Sequence, residues 1–145
     1  MKFWDTSALV PLLVAEPTSL AIGQEYDRDP QVVVWWGTGL ECVSALARLE
    51  REGSLIGGSL AGGLQRLDGI ARAWREVLPG ARVRDIATRL LRVYVLRASD
   101  ALQLGAAIVA AQEQPASLPF VTLDDRLTLA AEREGFTVIR PDQTS

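Results

Sequence analysis

The sequence predicts an α/β fold with a central, mainly parallel sheet and helices on both of its faces. Short apolar runs alternate with helix-patterned segments along the whole chain, the pattern of strand–helix–strand units. The run Val32–Trp36 is apolar throughout and rich in β-branched residues, as a strand buried on both faces requires. A length of 145 residues with 48% hydrophobic content suits one domain over 1–145, and no repeat, low-complexity tract or linker divides it.

The elements follow in order. A strand over Lys2–Asp5 leads into an apolar helix over Ser7–Val14, which Pro17 terminates. A helix over Ser19–Tyr26 ends before the Asp29-Pro30 turn. Strand Val32–Trp36 precedes a helix over Gly39–Glu52. Glycines 53, 57, 58, 62 and 63 then read as a flexible connection to a helix over Leu64–Val77, stopped by Pro79-Gly80. A helix over Val83–Leu91, a strand over Val93–Leu96, a helix over Asp100–Gln112 and a strand over Phe120–Leu123 come next. Helix Asp125–Arg133 and strand Thr137–Ile139 complete the pattern.

Composition removes several chemistries. The chain has no histidine, which excludes Ser-His-Asp triads, histidine acid–base catalysis and His-ligated zinc. Lys2 is the single lysine and Cys42 the single cysteine, so a P-loop, a cysteine metal cage and a disulfide framework are excluded too. Carboxylates must then carry any catalysis, and such hard oxygen donors suit Mg²⁺ or Mn²⁺. The net charge of −3 speaks against nucleic-acid binding through overall charge. Fourteen of the fifteen basic residues are arginine, however, and arginine recognises phosphate bidentately. The N-terminus lacks a charged region followed by a long apolar stretch, the apolar segment Ala101–Ala111 is too short to span a bilayer, and a lone cysteine fits a reducing compartment. A cytoplasmic location without membrane contact is the expectation.

Four acids stand where predicted strands give way to helices: Asp5, Glu41, Asp100 and Asp124. In a parallel α/β sheet those junctions share the carboxyl edge, where ligands bind. Four carboxylates gathered there repel one another unless a cation neutralises them. Each also has an ordinary explanation. Asp5 and Asp124 can cap helices, Asp100 suits the helix macrodipole, and Thr38-Gly39-Leu40-Glu41 matches a capping box. Thr6, Ser7 and Thr122 lie at the same rim, able either to orient a bound water or phosphate or to bond the local backbone. Arg97 either contacts a phosphate or pairs with an acid, and Arg48 shares a helix face with Glu41, which suggests an ion pair. Asp125, Glu16, Glu50, Glu52 and Glu132 read as surface charge. Gly37-Thr38-Gly39 mimics the start of a dinucleotide fingerprint, but Cys42 occupies the third glycine position and the later acidic strand end is missing. Trp35 and Trp36 read as packing residues, and Cys42 as buried filler.

The segment Met1-Lys2-Phe3-Trp4-Asp5-Thr6-Ser7-Ala8-Leu9-Val10, followed by Glu16-Pro17, resembles the opening of PIN-domain toxins of the VapC type. Glu41-Cys42-Val43-Ser44-Ala45-Leu46-Ala47-Arg48, Leu96-Arg97-Ala98-Ser99-Asp100-Ala101-Leu102-Gln103-Leu104 and Phe120-Val121-Thr122-Leu123-Asp124-Asp125-Arg126-Leu127 resemble that family's later acidic motifs, in order. The resemblance implies a three-layer α/β/α PIN-like domain and a Mg²⁺- or Mn²⁺-dependent endoribonuclease whose acidic residues are Asp5, Glu41, Asp100 and Asp124. It also implies RNA as substrate, a homodimer, and a VapB-type antitoxin that blocks the site. Pro11 departs from the basic residue common in the family, and Gly105 from the usual alanine. Two other readings compete. A catalytically silent PIN-like module would only bind a partner. A phosphoacceptor receiver domain would need a lysine on a late strand–helix loop, which this chain lacks.

Overall fold

The computed structural model describes residues 1–55 and 58–141. Five short strands join in one sheet in the order β3-β2-β1-β4-β5, every neighbouring pair parallel. They are β1 (Lys2–Trp4), β2 (Val32–Trp35), β3 (Arg75–Val77), β4 (Phe120–Val121) and β5 (Val138–Ile139). Seven α-helices among the described residues connect them: α1 (Thr6–Leu13), α2 (Ser19–Arg28), α3 (Thr38–Arg51), α4 (Leu60–Ala71), α5 (Ala81–Val93), α6 (Ala98–Ala110) and α7 (Asp125–Arg133).

The layers follow from the two-residue alternation of strand side chains. Trp4, Val32, Val34 and Val121 point to one face and pack with buried residues of α1 to α4, among them Leu9, Leu13, Ile22, Leu46 and Leu67. Phe3, Val33, Trp35 and Phe120 point to the other and pack with α5, α6 and α7 through Leu90, Leu104, Ala107, Leu127 and Ala130. Phe3 stacks on Phe120 across the β1–β4 pair with ring centroids 5.4 Å apart. Right-handed crossovers demand this division. The chain steps outward from β1 through β2 to β3 with helices on one face, then returns to β4 and β5 with helices on the opposite face. The reversal falls between β1 and β4, and at such a switch point the crevice at the strands' carboxyl ends is open.

Two expected elements are corrected. Val93–Leu96 is not a strand: Val93 ends α5, the next residues form the loop into α6, and Val95 is 83% exposed. Its β-branched pattern has no sheet edge to join, because β3 occupies the edge beside β2. That strand lies inside the range expected to be helical, Leu64–Val77. Arg75 and Glu76 are exposed and only Val77 is half-buried, so the segment carries no hydrophobic period for sequence reasoning to find. Charged side chains on an edge strand also discourage pairing with other chains.

The glycine-rich connection is partly corrected as well. Gly62 and Gly63 lie inside α4, whose N-cap Ser59 accepts a hydrogen bond from the Gly62 N–H at 3.1 Å. Gly57 lies outside the described residues. The α5–α6 pair forms a helical hairpin, with Arg82 near the start of α5 bonded to Glu113 just past α6 at 2.6 Å. At the other end the loop is clamped to α7: Tyr94 Oη donates to Glu134 Oε2 at 2.5 Å and Arg89 Nη2 to Glu134 Oε1 at 2.7 Å. Among the described residues no helix is long and apolar enough to cross a membrane.

Candidate active site

All four predicted acids line one cleft of about 400 Å³ at the carboxyl edge of the sheet. Asp5 follows β1, the central strand, and its backbone N–H bonds to Val121 O of β4 at 3.1 Å, which seats it at the switch point. It does not cap α1 with its side chain. The carboxylate is 3% exposed, accepts from Ser7 Oγ at 2.7 Å, and bonds no cationic side chain among the described residues. Burial pushes its pKa from 3.8 up to about 7, with the Asp124 charge adding to the rise and the Ser7 and Thr122 hydroxyls opposing it.

Ser7 and Thr122 are used internally. Ser7 Oγ accepts the Leu123 N–H at 2.9 Å and lies 3.3 Å from Thr122 Oγ1, which accepts the Asp124 N–H at 3.0 Å. Both hydroxyls thus make local bonds. They tie the β1–α1 junction to the β4–α7 junction and so hold Asp5 beside Asp124. Asp124 is a true N-cap, its Oδ1 accepting the Leu127 N–H at 2.9 Å, and its other oxygen stays free of that bond.

Asp100 reaches the cleft by a different route from the expected one. No strand precedes it. The hairpin returns the chain so that α6 starts at the carboxyl edge, and Asp100 sits in its first turn, 6% exposed. Its Oδ2 accepts the Arg97 N–H at 3.1 Å and faces Arg97 Nε at 3.5 Å. Arg97 therefore pairs with an acid while its side chain, 69% exposed, remains on the cleft wall.

Glu41 does not form the capping box anticipated for it. Gly37 is the N-cap of α3, without a side-chain bond, and Thr38 is already helical and fully buried. The Glu41 carboxylate turns into the cleft instead. Its Oε2 accepts from Gln103 Nε2 at 2.6 Å and from Thr6 Oγ1 at 3.4 Å. Burial raises its pKa, opposed by those two bonds, and the Asp100 charge raises it further.

Sequence reasoning missed Gln103. It lies one helical turn past Asp100, 2% exposed, and its Nε2 also donates to Thr6 Oγ1 at 3.1 Å and Thr38 Oγ1 at 3.0 Å. A glutamine on the otherwise apolar face of α6 was the available signal. Glu16 belongs to the cleft rather than to plain surface, and Ser44, Ser99 and Arg48 line it as well. Arg48 has no ion pair among the described residues, contrary to the pairing suggested by its spacing from Glu41. Asp125 is exposed and pairs with Arg140.

The decoys resolve physically. A Cβ on Gly37 would stand 2.7 Å from Trp35 Nε1, so that glycine makes room for an indole rather than for a pyrophosphate. Cys42 is fully buried beneath the site, and burial, with the Glu41 and Asp5 charges, pushes its thiol up to about 12. The folded protein should therefore give no reaction with a thiol reagent at pH 8, and one equivalent after unfolding in guanidinium; rapid labelling of the native chain would refute this placement.

No family model and no curated protein matches this sequence. Fifteen solved chains match its architecture. A chain of a toxin–antitoxin complex from Klebsiella pneumoniae aligns at 16% identity and TM-score 0.66, over 97% of this chain and 98% of that one. FitAB bound to an IR36 DNA fragment contains a chain at 17% identity and TM-score 0.67, over 100% and 98%. FitAcB from Neisseria gonorrhoeae contains one at 17% and 0.65, over 99% and 100%. The fold is PIN-like. Three layers, an all-parallel sheet and full-length correspondence agree with the resemblance in the motifs.

The donor set in this cleft fits a hard divalent cation: every candidate ligand is an oxygen, and among the described residues no cationic side chain bonds the buried Asp5 carboxylate. Among the described residues no three acidic side chains form a finished cage. An ion that keeps several waters does not require one.

Proposed function

We propose that this chain is the toxin of a toxin–antitoxin pair, a Mg²⁺- or Mn²⁺-dependent endoribonuclease that hydrolyses RNA phosphodiesters in the acidic cleft. The observation that carries the reading is the convergence of Asp5, Glu41, Asp100 and Asp124, from four distant segments, on one cleft at the switch point of the sheet. Capping accounts for Asp124 and Asp100 singly but not for gathering all four acids in one cleft. The four repel one another, and Asp5 is held in its costly buried form.

In this reading Asp5 and Asp100 are the principal metal ligands, with Glu41 and Asp124 completing the pocket directly or through water. A bound divalent ion supplies an activated water, in-line positioning and charge neutralisation on the phosphate. Deprotonated Asp5 is required to hold it, so binding and cleavage rise as pH climbs through about 7. Arg48 and Arg97, on α3 and at the start of α6, supply cationic contacts for the RNA backbone. A receiver domain is disfavoured by geometry as well as by count: Lys2 bonds Glu25 at 2.8 Å and does not line the cleft. A homodimer, a VapB-type antitoxin covering the cleft, and a cytoplasmic location complete the proposal. The solved toxin–antitoxin chains of the same fold support the pairing.

The test is to incubate purified protein with total RNA, with Mn²⁺ or with excess chelator. Discrete fragments with Mn²⁺ and intact RNA with chelator are expected. Intact RNA under both conditions, together with no growth arrest on expression, would favour a silent partner-binding module. Cleavage unaffected by chelator would remove the metal from the mechanism.

A further inference from the structure

Gln103 stands at the one point where the three walls of the cleft meet. It is on α6, Thr6 opens α1, and Thr38 and Glu41 are on α3. A single side-chain nitrogen bonds all three, at 3.1, 3.0 and 2.6 Å. The amide has two protons for these three oxygens, and its strongest contact is with the charged one. Gln103 Oε1, by contrast, is buried and has no hydrogen-bond partner among the described residues. Leaving a buried carbonyl unsatisfied is unfavourable, so the orientation is held by what the nitrogen does. That orientation holds the Glu41 carboxylate in the cleft, where its Oε2 also accepts from Thr6 Oγ1 at 3.4 Å.

We propose that Gln103 is a positioning residue that fixes the orientation of Glu41, and with it the completed acidic pocket, by binding α1, α3 and α6 through one amide. The inference rests on the metal-dependent reading above. Its geometric part is independent of which RNA, if any, is cut. Gln103 does not act on substrate; it sets where an acid stands. The Glu41 side chain, half-buried at the cleft rim, has other rotamers open to it, and this amide at 2.6 Å is the shorter of the two contacts that select the one facing Asp100, the other being Thr6 Oγ1 at 3.4 Å.

The experiment is a double-mutant cycle on the full chain with two readouts: Mn²⁺ affinity by electron paramagnetic resonance without RNA, and RNA cleavage kinetics. Gln103→Leu is expected to weaken Mn²⁺ binding about 10-fold and lower kcat by a similar factor, with KM for RNA nearly unchanged. In a Glu41→Gln background the same change should add less than about twofold, because the partner it orients is already gone. Gln103→Met, closer in length and equally without a donor, carries the same expectation if leucine disturbs folding. Additive losses in the double mutant would overturn the proposal, as would unchanged Mn²⁺ affinity in both single Gln103 variants. Wild-type protein that binds Mn²⁺ but cuts no RNA would refute the nuclease while leaving the binding cycle to judge Gln103. Wild-type protein that binds no Mn²⁺ would overturn both.

Discussion

Replacing Asp5 with asparagine should abolish RNA cleavage and, in the same stroke, make the metal-free protein harder to melt at pH 8. The loss of activity should exceed about 100-fold, beyond the 10–100-fold usual for changes outside the ligand sphere. The gain in stability comes from linkage. The folded-state pKa of Asp5, about 7, lies above the 3.8 of an ordinary aspartate. Between those values the fold holds a proton that the unfolded chain has released, so stability falls as pH rises through this window and the loss is complete above it. Glu41, also raised, acts in the same direction. Glu25, Asp29 and Glu134 have lowered pKa values, and their contribution disappears only as pH falls through the ordinary carboxylate range. Scanning calorimetry of chelated protein at pH 5.5 and pH 8 should therefore give a lower Tm for the wild type at pH 8. Asp5→Asn should remove most of that difference, worth several degrees at about 4 °C per kcal/mol. A wild-type Tm that is level across this range, or a mutant that melts lower at pH 8, would contradict the buried, unpaired carboxylate.

Gly105→Val should lower Tm by about 8 °C, corresponding to about 2 kcal/mol of overpacking. A Cβ at this position would stand 3.2 Å from Val83 O and 3.5 Å from Ala87 N, so the nearest atoms are backbone of α5 and cannot swing away. The departure from the usual alanine at Gly105 acts through packing: the glycine lets α5 and α6 approach closely. Alanine should be milder, since α5 needs to yield only a few tenths of an ångström. The change should also reach the cleft, because α6 carries both Asp100 and Gln103. Thermal melting of the valine variant, with Mn²⁺ affinity measured beside it, checks both effects. An unaltered Tm would show that the two helices have room the structure does not indicate.

The layered architecture was readable because its signals are strong and local. The apolar runs at Phe3, Val32–Trp35 and Phe120–Val121 are buried on both faces and admit no other role. The edges were not readable. Arg75–Val77 is a strand only because β2 offers it a partner, and the Val93–Leu96 run looks like a strand but finds the edge already taken. Placement of Asp5 and Asp124 followed from topology alone, since both come directly after strands that flank the switch point. Asp100 came to the right cleft by a hairpin rather than by the strand inferred for it. Glu41 was the ambiguous one, and spacing could not have resolved it. Its capping box failed because α3 begins one residue earlier, with Gly37 at the N-cap, and its carboxylate is held in the cleft by Gln103, a residue 62 positions away in sequence. Contacts of that range leave no periodic trace.

Lys2 has a consequence beyond ruling out rival folds. It is the single lysine of the chain, and its side chain, 12% exposed, is held by Glu25 of α2 at 2.8 Å. A folded molecule so built offers almost no ε-amine to the outside. Acylating enzymes, ubiquitin ligases and amine-coupling reagents alike would find their usual handle occupied, and would gain it only when the first strand comes loose.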